Sequence, residues 1–158
     1  MIKIKIITVG KIKEKFLVDA IKEYSKRLSR YCKLSIIEIS DERDGKNIGD
    51  IENALLVEGN KIKSNIGAME YVISMDIEGE AVSSNDIADI IENTGIRGYS
   101  TITFIIGGSN GIASNIKEES NKKISFGKIT LPHQLFRVIL LEQIYRGFKI
   151  INKEPYHK

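Results

Sequence analysis

Three stretches hold the residues best placed to bind a small molecule: "SMDIEG" from Ser74, "TITFIIGGSNG" over residues 101–111, and "FGKITLP" from Phe126. Each offers glycine or unpaired backbone. None carries a nucleophile beside a base, a carboxylate pair or a metal-ligand set. The glycines Gly107, Gly108 and Gly111 read G-G-x-x-G. A dinucleotide fingerprint needs G-x-G-x-x-G, and a phosphate loop needs G-x-x-x-x-G-K-[ST]. Position 112 is Ile and no Lys follows, so the turn matches neither. It is either a bare strand-to-helix turn or a backbone surface that a ligand can approach closely. In open α/β sheets, ligands sit beyond the carboxyl ends of the strands, and all three stretches leave a strand at that end. A site of backbone and apolar side chains suits a flat neutral ring such as adenine. It does not suit a triphosphate.

A second group of residues lies near the C-terminus. Residues 135–141 are apolar except for Arg137. A helix apolar on nearly all sides is buried on nearly all sides, which one face on the core and one on a second subunit would achieve. A buried Arg137 needs a partner, either a carboxylate or a ligand anion. Glu142 and Arg146 stand four apart in the favourable order, as a surface pair or as working groups. The tail "EPYHK" ends in Tyr156, His157 and Lys158. An aromatic, an imidazole and a cation together suit a nucleobase and its phosphate; the other reading is a frayed end.

These residues must be positioned by alternating strands and helices. Strands are predicted over residues 2–9 (with one wet face, since Ile2, Ile4 and Ile6 alternate with lysines), 34–39, 71–75 and 101–106. Helical spacing covers Leu17 to Tyr31, Ile51 to Ile66, Ile87 to Ile91 (capped by Ser83 or Ser84), 114–121, and Pro132 to Lys149, with Thr130 as the last helix's cap. Residues 40–49 read as a loop, and 124–126 as an apolar patch. The alternation predicts one α/β domain over residues 1–158, with a mostly parallel sheet covered by helices on both faces.

Composition excludes several classes. The chain has 158 residues, 42% hydrophobic and 28% charged, which is ordinary for a globular protein. No apolar run reaches the roughly 18 residues of a membrane span, and no signal peptide is evident. The single cysteine, Cys32, reads as a small buried apolar residue, and a cytoplasmic setting is expected. With only His133 and His157 as histidines, no metal site is expected. The net charge of +3 is unevenly spread: residues 1–33 and 121–158 are basic, and 34–120 are acidic. Basic ends point to a polyanion such as nucleic acid, or to solvated helix faces.

"IGGSNG", "FGKITLPHQLFRVILLEQIYRGFKI" and "EPYHK" closely resemble the SPOUT-class methyltransferases that modify pseudouridine in large-subunit (23S) ribosomal RNA. The resemblance spans the whole chain and is most specific in the final third. It implies an α/β knot, a deep trefoil near the C-terminus, and a homodimer packed through the knotted region. The implied cofactor is S-adenosyl-L-methionine, touched by Met75, Gly107 and the run Phe126, Gly127, Lys128, Ile129, Thr130 and Leu131. The implied reaction is methylation of pseudouridine N3 on assembled ribosomes. His157 and Arg146 become candidate catalytic groups, and Tyr156, Lys158 and Arg137 candidate substrate contacts. Two alternatives remain at this level: a SPOUT methyltransferase with a different RNA target, and a non-catalytic dimeric RNA-binding module.

Overall fold

A computed structural model describes residues 1–42 and 47–158. The chain runs β1 (Lys3–Val9), α1 (Lys15–Leu28), β2 (Lys33–Ile39), α2 (Ile48–Ser64), β3 (Glu70–Ala81), α3 (Ser84–Ile96), β4 (Thr101–Ile106), α4 (Ser114–Glu119), β5 (Lys122–Ser125) and α5 (His133–Ile151). The strands form one sheet in the order β2-β1-β4-β3-β5, parallel at every pairing. Because side chains alternate along a strand, β1 sends Ile4 and Ile6 to one face and Ile7 and Val9 to the other. The first pair joins a core with Leu28 of α1, Ile87 and Ile91 of α3, and Leu140, Leu141 and Ile144 of α5. The second joins Ile62 of α2 and Ile116 of α4. Helices therefore cover both faces, and β4, inside the sheet, is buried at every position. Cys32 is buried in the first core; desolvation pushes its thiol up to about 12, so the thiolate is scarce at neutral pH.

Four local features differ from the sequence reading. The first is that only Lys3 of β1 stays exposed, because α2 and α4 cover the face that Ile7 and Val9 share with the lysines. Lys5 is held inside by the Asn65 carbonyl and Glu70, whose other oxygen accepts from Thr103. Next, β3 is twelve residues long, where residues 71–75 were expected. Its pairing with β5 reaches Met75, breaks, and resumes at Glu80, with Ile124 opposite both. Residues 76–79 form the bulge between them. A Cβ on Gly79 would lie 2.7–2.8 Å from the backbone of Lys123 and Ile124, so only glycine lets the bulge return against β5. At the expected loop, residues 43–46 lie outside the described residues, but Ile48 and Gly49 already belong to α2. Asn47 starts that helix by accepting the Asp50 amide at 2.9 Å. Finally, α5 starts after Pro132 with no side-chain cap, so Thr130 does not serve that role. Ser83 does cap α3, in a reciprocal box with Asp86.

Arg137 is 2% exposed and has found a carboxylate. Its Nη1 donates to Glu38 Oε2 at 2.7 Å, and its Nη2 to the Gly10 carbonyl at 2.7 Å. The Ile12 amide donates to the same Glu38 oxygen. Arg137 thus ties the ends of β1 and β2 to α5. Burial raises the Glu38 pKa, but the Ile12 amide and the guanidinium outweigh it and hold the carboxyl below its usual range. A depressed pKa stabilises the fold fully above the unfolded value of about 4.3 and loses that contribution as pH falls through the folded value. Glu38→Gln leaves a buried cation without its counter-ion and is expected to cost about 2–3 kcal/mol at pH 7. In thermal melts that is a drop of roughly 5–10 °C, shrinking below about pH 4. An unchanged melting temperature at pH 7 would contradict this assignment.

Candidate active site

The carboxyl ends of β3, β4 and β5 open onto one cavity of about 500 Å³, within the usual range for small-molecule sites. Its walls are the three stretches whose sequence drew attention. β3 contributes Met75 and the start of its bulge, the turn after β4 contributes 106–112, and the segment after β5 contributes most of 124–131. His133 and Phe136 from α5 and Lys117 from α4 close it. Ile106, Ile124, Phe126, Leu131 and Phe136 belong to its apolar part, with the Phe126 and Phe136 rings 5.3 Å apart.

The glycine turn is tightly folded. Gly108 and Gly111 bridge each other, the Gly111 amide donating to the Gly108 carbonyl at 3.1 Å. A Cβ on Gly107 would meet the Gly111 carbonyl carbon at 2.5 Å, inside van der Waals contact. Gly107 is therefore glycine because the turn folds back against it. The main chain from Gly107 to Ile112 stays presented to the cavity.

Of the expected cofactor contacts, Met75, Gly107, Phe126, Gly127, Ile129, Thr130 and Leu131 line this cavity, and Lys128 is exposed beside it without lining it. Arg137 does not line it either. Asp76, Lys117 and Phe136 were not among the expected contacts. In the sequence Asp76 stands at a strand end, in "SMDIEG", and Lys117 in a short helix; no local spacing links them.

Arg146, Tyr156, His157 and Lys158 do not line the cavity. They cluster with the other end of α5, ten residues or about 15 Å of helix beyond Phe136 for Arg146. Arg146 Nη2 donates to Glu142 Oε1 at 2.7 Å, and Tyr156 donates to the same oxygen at 3.2 Å. Arg146 lies 4.7 Å from the Tyr156 ring centroid, and its Nη1 is 3.3 Å from His157 Nδ1. Hydrogen bonding to Glu142 raises the Arg146 pKa, and burial first, then Glu142, raises that of Tyr156. The tail is folded back rather than splayed: Glu154 accepts from Tyr31 and from Lys149. The two basic ends of the chain meet here. Arg27 of α1 stands over the Tyr24 and Tyr145 rings, and Lys149 of α5 over Tyr31 and Tyr145. This surface interleaves cations and aromatics, the composition that binds single-stranded nucleic acid. Among the described residues, no group of three or more His, Cys, Asp and Glu could hold a metal ion, and no helix is long and apolar enough to cross a membrane.

Comparison with known proteins bears on this arrangement. The family model described as "Predicted SPOUT methyltransferase" matches residues 2–157. The chain is 52% identical over 157 residues to the ribosomal RNA large subunit methyltransferase H of Clostridium botulinum (strain Alaska E43 / Type E3), covering 98% of this chain and 99% of the relative. The protein of the same name from Clostridium tetani is 52% identical over the same spans. That from Clostridium beijerinckii is 53% identical over 161 residues, again covering 98% and 99%. With its parallel sheet, its glycine turn and this similarity along its length, the chain belongs to the SPOUT methyltransferase family.

Proposed function

We propose that the protein methylates N3 of a pseudouridine in large-subunit ribosomal RNA on assembled ribosomes, taking the methyl group from S-adenosylmethionine. The observation that carries the reading is the cavity. Its walls are mostly main chain and apolar side chains, it has no phosphate loop, and it contains seven of the eight expected cofactor contacts. Such walls fit a nucleoside without phosphates. The cofactor would supply a methyl group made electrophilic by its sulfonium. The protein's tasks are then to align the acceptor nitrogen in line with that methyl, exclude water, and take up the imino proton.

In one chain the tail and the cavity lie apart, which favours a site completed by a second copy. The α5 residues Leu135, Val138, Ile139, Glu142 and Arg146 share one partly buried face, apolar at one end and charged at the other. A two-fold partner on this face would cover it and bring its own tail to the cavity. In that dimer Tyr156 stacks on a target base, Lys158 and Arg146 hold phosphate, and His157 exchanges or orients the proton. Arg137, engaged with Glu38, serves by fixing α5 against the strand ends. Each 158-residue chain acts as one domain, knotted near its C-terminus as the family resemblance implies.

Mass spectrometry of ribosomal RNA tests the target. A strain lacking the protein should lose one methyl group on one pseudouridine, and regain it on complementation. Loss at a different nucleotide would favour another RNA target. Calorimetry with S-adenosylmethionine separates the enzyme from a bare RNA-binding module, which would give no binding heat.

A further inference from the structure

Asp76 on the β3 bulge and Lys117 on α4 are the acidic and basic residues with full charges that line the cavity. Asp76 Oδ2 and Lys117 Nζ lie 3.5 Å apart, with side chains 15% and 30% exposed. Asp76 Oδ1 also accepts the Glu78 amide at 3.1 Å, which orients the carboxylate. We infer that this pair is the subsite for the amino-acid end of the cofactor, with Lys117 taking the α-carboxylate and Asp76 the α-ammonium. The inference rests on the nucleoside reading of the cavity.

Three observations support it. Backbone and apolar walls can satisfy an adenosine but not a zwitterion, whose two charges lose water on entry and need counter-charges. The pair supplies one of each sign. Its 3.5 Å separation exceeds the 2.7–2.9 Å typical of a tight charge-assisted bond. The two ions thus compensate each other loosely and can each turn to an opposite charge on a ligand. The bulge itself interrupts β3–β5 pairing and demands glycine at position 79. What it delivers in return is Asp76 and Ile77 at the cavity wall.

The test compares S-adenosylhomocysteine with 5′-methylthioadenosine, which has the same nucleoside and thioether but lacks the amino-acid group. Titration calorimetry would be run on the unaltered protein and on Asp76→Asn, Lys117→Met and the double variant. Thermal melting of each protein without ligand would report folding, and the double variant leaves no unpaired charge behind. We expect each single variant to weaken S-adenosylhomocysteine about tenfold, the worth of one charge-assisted contact, with 5′-methylthioadenosine affinity unchanged. The double variant should bind the two ligands with nearly equal affinity. Equal weakening of both ligands, or of neither, overturns the subsite while leaving the nucleoside site standing. Failure of the unaltered protein to bind either ligand overturns both.

Discussion

Deleting residues 156–158 is expected to abolish methyl transfer and leave S-adenosylmethionine affinity unchanged. The loss should be at least about 10³-fold, because the deletion removes both positioning and proton handling. Cofactor binding is spared because none of the three residues lines the cavity of its own chain, and in the proposed dimer they meet the target nucleotide rather than the cofactor. Folding is spared too, since Glu154, which accepts from Tyr31 and Lys149, remains in place. Calorimetry and a methylation assay on ribosomes measure the two halves separately. Full activity of the truncated chain would remove the tail from the mechanism. A mixed population gives the sharper version. A His157 variant and a Gly107 variant, each inactive as a homodimer, should recover activity when combined, because one site of the mixed dimer receives an intact cavity and an intact tail. Absence of recovery above the parent homodimers would exclude a shared site.

Gly107→Ala is the second large effect. The added methyl would sit against the Gly111 carbonyl group and Ile112, so the turn must open. An opened turn moves the main chain that faces the cavity, and a displacement of about 1 Å in a positioning element can cost about 10²-fold. We expect methyl transfer to fall by about that factor or more and S-adenosylmethionine binding to weaken measurably, with a modest loss of stability of about 1–3 kcal/mol from overpacking. Gly95→Ala is the matched control. It lies in α3 with nothing within 4 Å of the new Cβ, and helix propensity favours Ala by roughly 0.5–1 kcal/mol. Normal cofactor affinity in Gly107→Ala would show that the turn is not part of the site.

The cavity walls were legible because each is a continuous stretch: an apolar strand ending in glycine or an irregular turn announces itself within about ten residues. The same locality hid Asp76 and Lys117. They are 41 positions apart in the numbering and meet only because the β3 bulge and α4 border the same cavity. The end of β3 was misplaced for the same reason. Residues 76–81 lack clean alternation, and their strand pairing is decided by β5, which lies more than forty residues later.

The sequence by itself determined the alternation of strands and helices, the apolar character of β4 and α5, and the glycine turn, because polarity repeating every 2 or 3.6 residues is a local property. Tertiary structure decided which charges are inside. In the sequence Lys5 belongs to a wet strand face, yet it is held by Glu70, and Arg137 has two possible partners until Glu38, 99 positions away, is brought beside it. It also set the separation between tail and cavity, since the length of α5 between them is rigid. A charge buried in the fold depends for its partner on topology, and topology is a property of the whole sheet rather than of any stretch.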